Sequence, residues 1–188
     1  MTAKTQKYIA TAAALCAVTV VVLVVIYWAS AKQAIKGVLT NNYFSDSELK
    51  HSATAKRLGL QNEPTKEEWE HLYALRDNIL NPAREIYGSY ILVNDAFRSD
   101  EVNEAVGGTS DSQHRTGDAA DITTGSVKGN RELFAILVTF TPFDQIIWEE
   151  GGKWIHVSYN PARNRRSILS CKGLVYTNIA NNWQNQLT

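Results

Sequence analysis

The ten residues from Ser112 to Asp121 hold a histidine and an aspartate at a spacing that suits metal chemistry. His114 and Asp121 are seven positions apart, and Gly117 between them permits a turn that folds the imidazole back beside the carboxylate. A second histidine, His156, lies in an alternating apolar run typical of a strand. Two imidazoles and one carboxylate leave the fourth position of a zinc ion open, as in hydrolytic zinc sites. We therefore predict a zinc site built from His114, Asp121 and His156.

Capping signals and hydrophobic periodicity predict the elements that must position these residues. Thr65 is expected to cap a helix, with Glu68 closing a capping box, and Pro82 is expected to break or kink that helix. Further helices are predicted over 99–106 and 130–140, strands over 90–93, 143–148 and 154–159, and a late hairpin around 172–173. The tail, 180–188, is expected to fray. This order predicts an α+β domain with a small, largely antiparallel sheet and flanking helices.

Charge is distributed unevenly along the 188 residues. The chain has 19 basic and 19 acidic residues, but every acidic residue lies after position 31. From position 32 onward, 17 basic residues stand against 19 acidic ones, so there is no cationic excess and no nucleic-acid partner is expected. Two cysteines, Cys16 and Cys171, are too few for a disulfide framework. Residues 1–31 are interpreted as a membrane anchor or signal peptide, 32–42 as a linker and 43–188 as the domain.

The N-terminal segment is apolar enough to determine where the protein resides. Residues 8–31 carry no charge, and as a helix these 24 residues would span ~36 Å at ~1.5 Å per residue, enough to cross a bilayer. We predict one uncleaved N-terminal transmembrane helix that anchors the chain in the lipid bilayer. Residues 29–31, Ala-Ser-Ala, have the form of a signal-peptidase site, so a cleaved signal peptide is the alternative. Two lysines on each side of the span leave its orientation open.

A family resemblance rests on motifs that occur in order along residues 43–166. They lie at 44–49 (Phe-Ser-Asp-Ser-Glu-Leu), 52–55 (Ser-Ala-Thr-Ala), 97–99 (Phe-Arg-Ser), 107–108 (Gly-Gly), 112–121 (Ser-x-His-x-x-Gly-x-Ala-x-Asp) and 154–159 (Trp-x-His-Val-Ser-Tyr). The chain resembles the zinc D-Ala-D-Ala carboxypeptidase family of metallopeptidases, above all its small members, often phage-encoded, that cut peptidoglycan stem peptides. The resemblance implies zinc held by the three residues above, and it implies that Arg98 and Ser112 meet the substrate carboxylate or peptide. A guanidinium suits that role because it offers a bidentate fork to a carboxylate, and the alternative for Arg98 is a structural salt bridge.

The general base is where the sequence departs from the family. Some members place an acidic residue three positions before the last histidine ligand, where this chain has Lys153, so Glu149 and Glu150 are the candidates. A two-residue turn at 151–152 would pair Glu150 with Lys153 and put Glu149 on the same face as His156. We predict that Glu149 is the catalytic base and that Glu150 forms a solvent-facing pair with Lys153. A slip of one residue in the strand register would exchange the two glutamates.

These expectations describe a membrane-anchored zinc peptidase that hydrolyses bonds in peptidoglycan stem peptides, with its domain on the cell-wall-facing side or in a virion. The alternative is a non-catalytic peptidoglycan-binding or virion-structural module that retains the fold. Neither the bond cut nor the oligomeric state follows from the sequence.

The anchor prediction can be tested by fractionation of the full-length protein. An uncleaved transmembrane helix should keep the chain with the membranes and make it resist alkaline extraction. Recovery of a soluble product that begins at Lys32 would show signal cleavage instead.

Overall fold

Six strands form one sheet in the computed structural model, which describes residues 41–187. Neighbouring strands are antiparallel except β3 and β5, which are parallel. The order across the sheet is β1-β2-β4-β3-β5-β6. The strands are β1 (Leu92–Asp95), β2 (Ala119–Thr123), β3 (Gln145–Glu149), β4 (Trp154–Ser158), β5 (Ser167–Lys172) and β6 (Val175–Asn178). The predicted α+β class with a largely antiparallel sheet is confirmed, and so is the late hairpin.

Among the described residues, four α-helices precede the first strand, and three more lie between the strands or after them. Those of the described residues are α1 (Asp46–Leu49), α2 (Ala53–Leu58), α3 (Lys66–Leu75), α4 (Asn81–Tyr87), α5 (Asp100–Ala105), α6 (Val127–Phe140) and α7 (Trp183–Gln186). The cap of α3 is confirmed, because the Thr65 side chain accepts from the Glu68 amide while the Glu68 carboxylate accepts from the Thr65 amide. These local bonds satisfy amides that a helix start otherwise leaves unpaired.

The two faces of the sheet differ in chemistry because successive side chains on a strand point to opposite sides. Ile122, Ile155, Val157 and Trp148 lie on the face that packs into the buried core, together with residues of α3 and α6. On the opposite face, Asp95 of β1, Asp121 of β2 and His156 of β4 form one row across three strands. We call this second surface the polar face. The core therefore sits on one side of the sheet, and the row of Asp95, Asp121 and His156 sits on the other.

Pro82 does not break the helix that precedes it, so the predicted break is wrong. A π-helical segment, Arg76–Leu80, joins α3 to α4, and Pro82 lies in the first turn of α4. Proline is tolerated in a first turn because the amide it lacks has no intrahelical acceptor there. The wider π turn thus carries the chain past the proline without a break.

The predicted fraying of the tail is also wrong for the described residues. α7 places Trp183 5.9 Å from Phe134 between ring centroids, and Leu187 is buried. The sequence prediction missed these two apolar contacts because the tail is rich in Asn and Gln.

The hairpin between β3 and β4 has the predicted register but a longer turn. Ile147 pairs with His156 and Glu149 with Trp154, as predicted. The connection is a four-residue loop, 150–153, because the Glu150 amide donates to the Cys171 carbonyl of β5 (2.8 Å) rather than pairing with Lys153. The Glu150 carboxylate accepts from the Gly173 amide at 2.7 Å, so its predicted pair with Lys153 is wrong.

The predicted membrane anchor, residues 8–31, and nearly all of the predicted linker, 32–42, lie outside the described residues. Within 41–187, no helix is both long and apolar enough to cross a bilayer.

Gly152 should be needed for the close packing of the β3–β4 loop against Trp148. A Cβ at Gly152 would collide with the indole of Trp148, whereas one at Gly151 would meet open space, and both glycines have positive φ. The backbone strain is therefore common to both substitutions. We expect Gly152→Ala to lower the free energy of unfolding by about 1–3 kcal/mol more than Gly151→Ala, as measured by urea denaturation. Equal losses would contradict the close packing of this loop on Trp148.

Candidate metal centre

Strands β2 and β4 place a carboxylate and an imidazole directly opposite each other. Asp121 is the cross-strand partner of His156, and its Oδ1 lies 3.1 Å from His156 Nδ1. Both side chains are on the polar face, and both are largely buried. The alternation that buries Ala120 and Ile122 in the core necessarily turns Asp121 to this side.

The third residue, His114, reaches the same point from the loop that precedes β2. Gly117 has φ +75°, and a Cβ there would lie 2.6 Å from the Glu68 carbonyl, so only glycine fits this turn. The Arg98 amide donates to the His114 carbonyl at 3.1 Å and holds the loop against the end of β1. His114 Nε2 consequently lies 3.4 Å from Asp121 Oδ1 and 3.2 Å from His156 Nδ1.

The separations of these three atoms come within about 0.2 Å of those around a tetrahedral zinc ion. Zn–N and Zn–O bonds of ~2.0–2.2 Å in a tetrahedron place ligand atoms about 3.3–3.6 Å apart. The observed separations are 3.1, 3.2 and 3.4 Å. Among residues 41–187 this is the group of histidine, cysteine and acidic side chains that could hold a metal ion. The donor set fits zinc, and it leaves one tetrahedral position for water or substrate.

The outer ring nitrogens fix which nitrogen of each histidine faces this point. His114 Nδ1 donates to the Ala96 carbonyl at 2.7 Å, which leaves the lone pair on Nε2. His156 Nε2 lies 3.4 Å from Gln113 Oε1, which leaves the lone pair on Nδ1. Partners of this kind set the tautomer and the ring orientation of metal ligands.

Electrostatics favour an ionised Asp121 and a neutral His156 at this site. Burial alone would raise the pKa of Asp121, but the neighbouring His114 and His156 hold it well below its ordinary value. Burial lowers the pKa of His156, against the opposing effect of Asp121. An ionised aspartate and neutral histidines are the forms that bind a metal cation.

The predicted substrate residues lie beside the site, and Arg98 is already engaged there. Its Nη2 donates to Asp121 Oδ2 at 2.8 Å and its Nε donates to Asp95 Oδ2, while the side chain is 14% exposed. Within residues 41–187, no hydrogen bond uses Arg98 Nη1. Ser112 lies two residues before His114, half-exposed, and its hydroxyl makes no hydrogen bond to another described residue.

Glu149 shares the polar face with His156, whereas Glu150 does not reach it. Ile147 of β3 lies directly opposite His156, and Glu149 pairs with Trp154. Glu149 is therefore two positions along β3 from the residue opposite the histidine, on the same face. Burial raises the pKa of Glu149 to about 7, and the negative charge of Asp121 adds to this shift. The Glu150 carboxylate instead accepts a hydrogen bond from the Gly173 amide in the β5–β6 turn.

A family model described as peptidase M15 matches residues 42–158. This segment covers more than half of the chain and contains the three converging residues. The chain belongs to the peptidase M15 family. Peptidases of this family are zinc-dependent, in agreement with the donor set found here. A comparison with curated proteins found no match.

Sequence reasoning missed several residues that surround the centre of this M15 peptidase. Gln113 stands between two residues singled out as functional, yet its partners His156 and Asp144 lie 43 and 31 positions away. Asp95 forms an ion pair with Arg98. The signal available in the sequence was an acidic residue close to the end of a predicted strand and three positions before an arginine. Burial raises the pKa of Asp95 against the opposing charge of Arg98.

The raised pKa of Glu149 should make the metal-free M15 peptidase less stable as pH rises. The folded state keeps the proton up to about pH 7, whereas the unfolded state releases it near 4.5. Because the folded state binds more protons in this window, the free energy of unfolding falls as pH rises through it. Glu149→Gln stays neutral and should exceed the wild type above pH 7 by on the order of 1–3 kcal/mol.

Denaturation with urea from pH 4 to 8, in the presence of a chelator, measures this difference. It should vanish below pH 4.5, where both states of the wild type are protonated. Glu132→Gln, at an exposed site on α6, serves as the matched control. A stabilisation by Glu149→Gln that is constant across the whole pH range would show that protonation of Glu149 is not its cause.

Proposed function

We propose that this M15 peptidase hydrolyses peptide bonds in peptidoglycan stem peptides with zinc, as a D-Ala-D-Ala carboxypeptidase or an endopeptidase. The observation that carries the proposal is the triangle of His114 Nε2, Asp121 Oδ1 and His156 Nδ1, with sides of 3.1–3.4 Å. Family membership supports the reaction class, and the open fourth position supports hydrolysis over a purely structural metal.

Bound zinc would activate water at neutral pH and polarise the scissile carbonyl. Glu149 accepts the proton of the attacking water and passes it to the leaving amine. In the metal-free protein burial raises the pKa of Glu149 to about 7, toward the working pH at which a general base is most effective. Glu149 lies on β3, the strand that pairs with β4. It would do the work of the acidic residue that some relatives carry at the position of Lys153, just before β4.

Arg98 contributes to this proposal in two ways. Its Nη2 bond holds the Asp121 carboxylate so that Oδ1 faces the two histidines. Its Nη1, which bonds to no described residue, is available to a substrate carboxylate or carbonyl. Ser112, half-exposed on the same loop as His114, offers a hydroxyl to the substrate peptide.

The site of action is also part of the proposal. Peptidoglycan lies outside the cytoplasmic membrane, so residues 8–31 would anchor the domain on the wall-facing side, or the protein would act from a virion.

The function is tested with the full-length chain and purified peptidoglycan fragments that carry intact stem peptides. Mass spectrometry should show a hydrolysed stem-peptide bond in the presence of zinc, loss of cleavage with a chelator and recovery when zinc is added back. His114→Ala should lose both zinc and activity, whereas His51→Ala, at an exposed position, should keep both. A chain that binds zinc and folds but cuts no stem peptide would favour the non-catalytic module.

The base is tested by a matched pair of substitutions compared at equal zinc occupancy. Glu149→Gln should lower kcat by 10²–10⁴-fold, because general-base assistance is typically worth that much. Glu150→Gln should change kcat by little, because its carboxylate contacts the β5–β6 turn. Damage by Glu150→Gln alone would reverse the assignment, and damage by neither would place the base elsewhere.

A further inference from the structure

A relay of polar side chains leads from His156 to the segment that follows the region matched by the family model. His156 Nε2 contacts Gln113 Oε1 (3.4 Å), and Gln113 Nε2 donates to Asp144 Oδ2 (2.8 Å). Asp144 accepts from Arg165 Nη2 at 2.6 Å and from Arg165 Nε at 2.9 Å. Arg165 lies seven residues beyond position 158, where the family match ends.

One member of the relay, the Asp144 carboxylate, is not exposed to solvent. The Asp144 side chain is fully buried, and its oxygens receive two bonds from the guanidinium and one from the Arg165 amide at 2.8 Å. Its main chain is held between β4 and β5, since its amide donates to Ser158 and its carbonyl accepts from Ser167. A buried carboxylate stays ionised when a cation with good geometry compensates its lost hydration, and Arg165 is always charged.

The ionised carboxylate decides which end of the Gln113 amide faces the histidine. A carboxylate without a proton can only accept, so it binds the NH₂ end of Gln113 and leaves Oε1 toward His156. An amide oxygen can only accept as well, so His156 Nε2 must carry the ring proton. In the neutral ring, which is the form that binds a metal, the lone pair then lies on Nδ1, the atom that faces Asp121 and His114.

We infer that Arg165, Asp144 and Gln113 are positioning residues that hold the ring proton of His156 on Nε2 and keep Nδ1 available for a metal. The inference rests on the proposed zinc site. The two histidines are controlled in different ways: His114 by the Ala96 carbonyl within the matched segment, and His156 by a relay that needs the C-terminal segment.

The relay also predicts how it fails. Without a compensating cation, Asp144 takes up a proton and donates it to the amide oxygen of Gln113, and the amide turns over. Its NH₂ group then faces His156 Nε2, which must accept, so the ring proton moves to Nδ1. An imidazole protonated on Nδ1 cannot bind a metal through that atom.

The test uses the full-length chain and measures the zinc dissociation constant by competition with a chromophoric chelator. Asp144→Asn, Gln113→Met and Arg165→Met should each weaken zinc binding by about 10–100-fold, the usual effect of losing an outer partner of a ligand. Arg165→Met should have the smallest effect, since the backbone amide still binds Asp144. Arg165→Lys restores the charge and should recover most of the affinity. Arg163→Met, at an exposed neighbouring arginine, is the matched control.

A second measurement, on metal-free protein, reports the proton itself. Nitrogen-15 chemical shifts of His156 should show a proton on Nε2 in the wild type and in Arg163→Met, whether or not the facing Asp121 carboxylate also attracts a proton to Nδ1. In Asp144→Asn they should show a substantial population with the proton on Nδ1 alone. The double variant Gln113→Met, Arg165→Met should bind zinc no worse than Gln113→Met alone, because both act through one chain of contacts.

The outcomes separate the relay from the proposed function and from simple unfolding. Zinc affinity within twofold of the wild type in Gln113→Met, together with an unchanged tautomer in Asp144→Asn, would overturn the inference. Additive losses in the double variant would likewise overturn it, because they indicate an effect of Arg165 on stability rather than on His156. If the wild type bound no zinc, the proposed function would fail, while the tautomer comparison would still decide the relay. Circular dichroism confirms that each variant is folded, and the half-exposed Gln113 provides the variant that disturbs the buried core least.

Discussion

Asp121 is the side chain on which the rest of the polar face depends. Its Oδ1 lies within 3.4 Å of a nitrogen from each histidine, and its Oδ2 accepts from Arg98. A largely buried carboxylate is costly unless every oxygen has a charged or hydrogen-bonded partner. Arg98 lowers this cost at Oδ2, whereas Oδ1 and the lone pairs of the two imidazoles converge on the point that a zinc ion would occupy. A cation bound there would both complete the chemistry and offset the burial of the carboxylate.

The sheet keeps these polar groups apart from the core by simple alternation. Ile122 and Ile155 flank Asp121 and His156 along their strands, and they point into the apolar interior on the other side. Backbone pairing fixes the register of β2 and β4, so a shift of one residue would bury the charges and expose the core. This penalty holds Asp121 opposite His156 whether or not a metal is present.

The segment beyond position 158 contributes to the centre from two directions, although the family model does not include it. β5 pairs in parallel with β3 and places Cys171 beside Glu149, which helps to bury the carboxylate whose pKa is raised to about 7. The loop before β5 supplies Arg165 to the buried Asp144. The extension thus shapes the surroundings of both the proposed base and one proposed ligand.

Much of this architecture could be predicted from the sequence, because it follows from local rules. The cap at Thr65, the turn at Gly117 and the face shared by Glu149 and His156 depend on residues within about ten positions of one another. The resemblance of the motifs to a peptidase family indicated the same set of residues. The contacts of Gln113, the actual partner of Glu150 and the engagement of Arg98 by Asp95 and Asp121 were not predicted.

These contacts were decided only by the tertiary structure. Periodicity determines which way a side chain points from its strand, but not which strand lies beside it. The order β1-β2-β4-β3-β5-β6 brings the loop before β5 to the start of β3, and so brings Arg165 to Asp144 across 21 positions. Which strands become neighbours depends on the packing of all the elements together. The sequence by itself determined the residues of the centre, and the packing of the sheet determined what surrounds them.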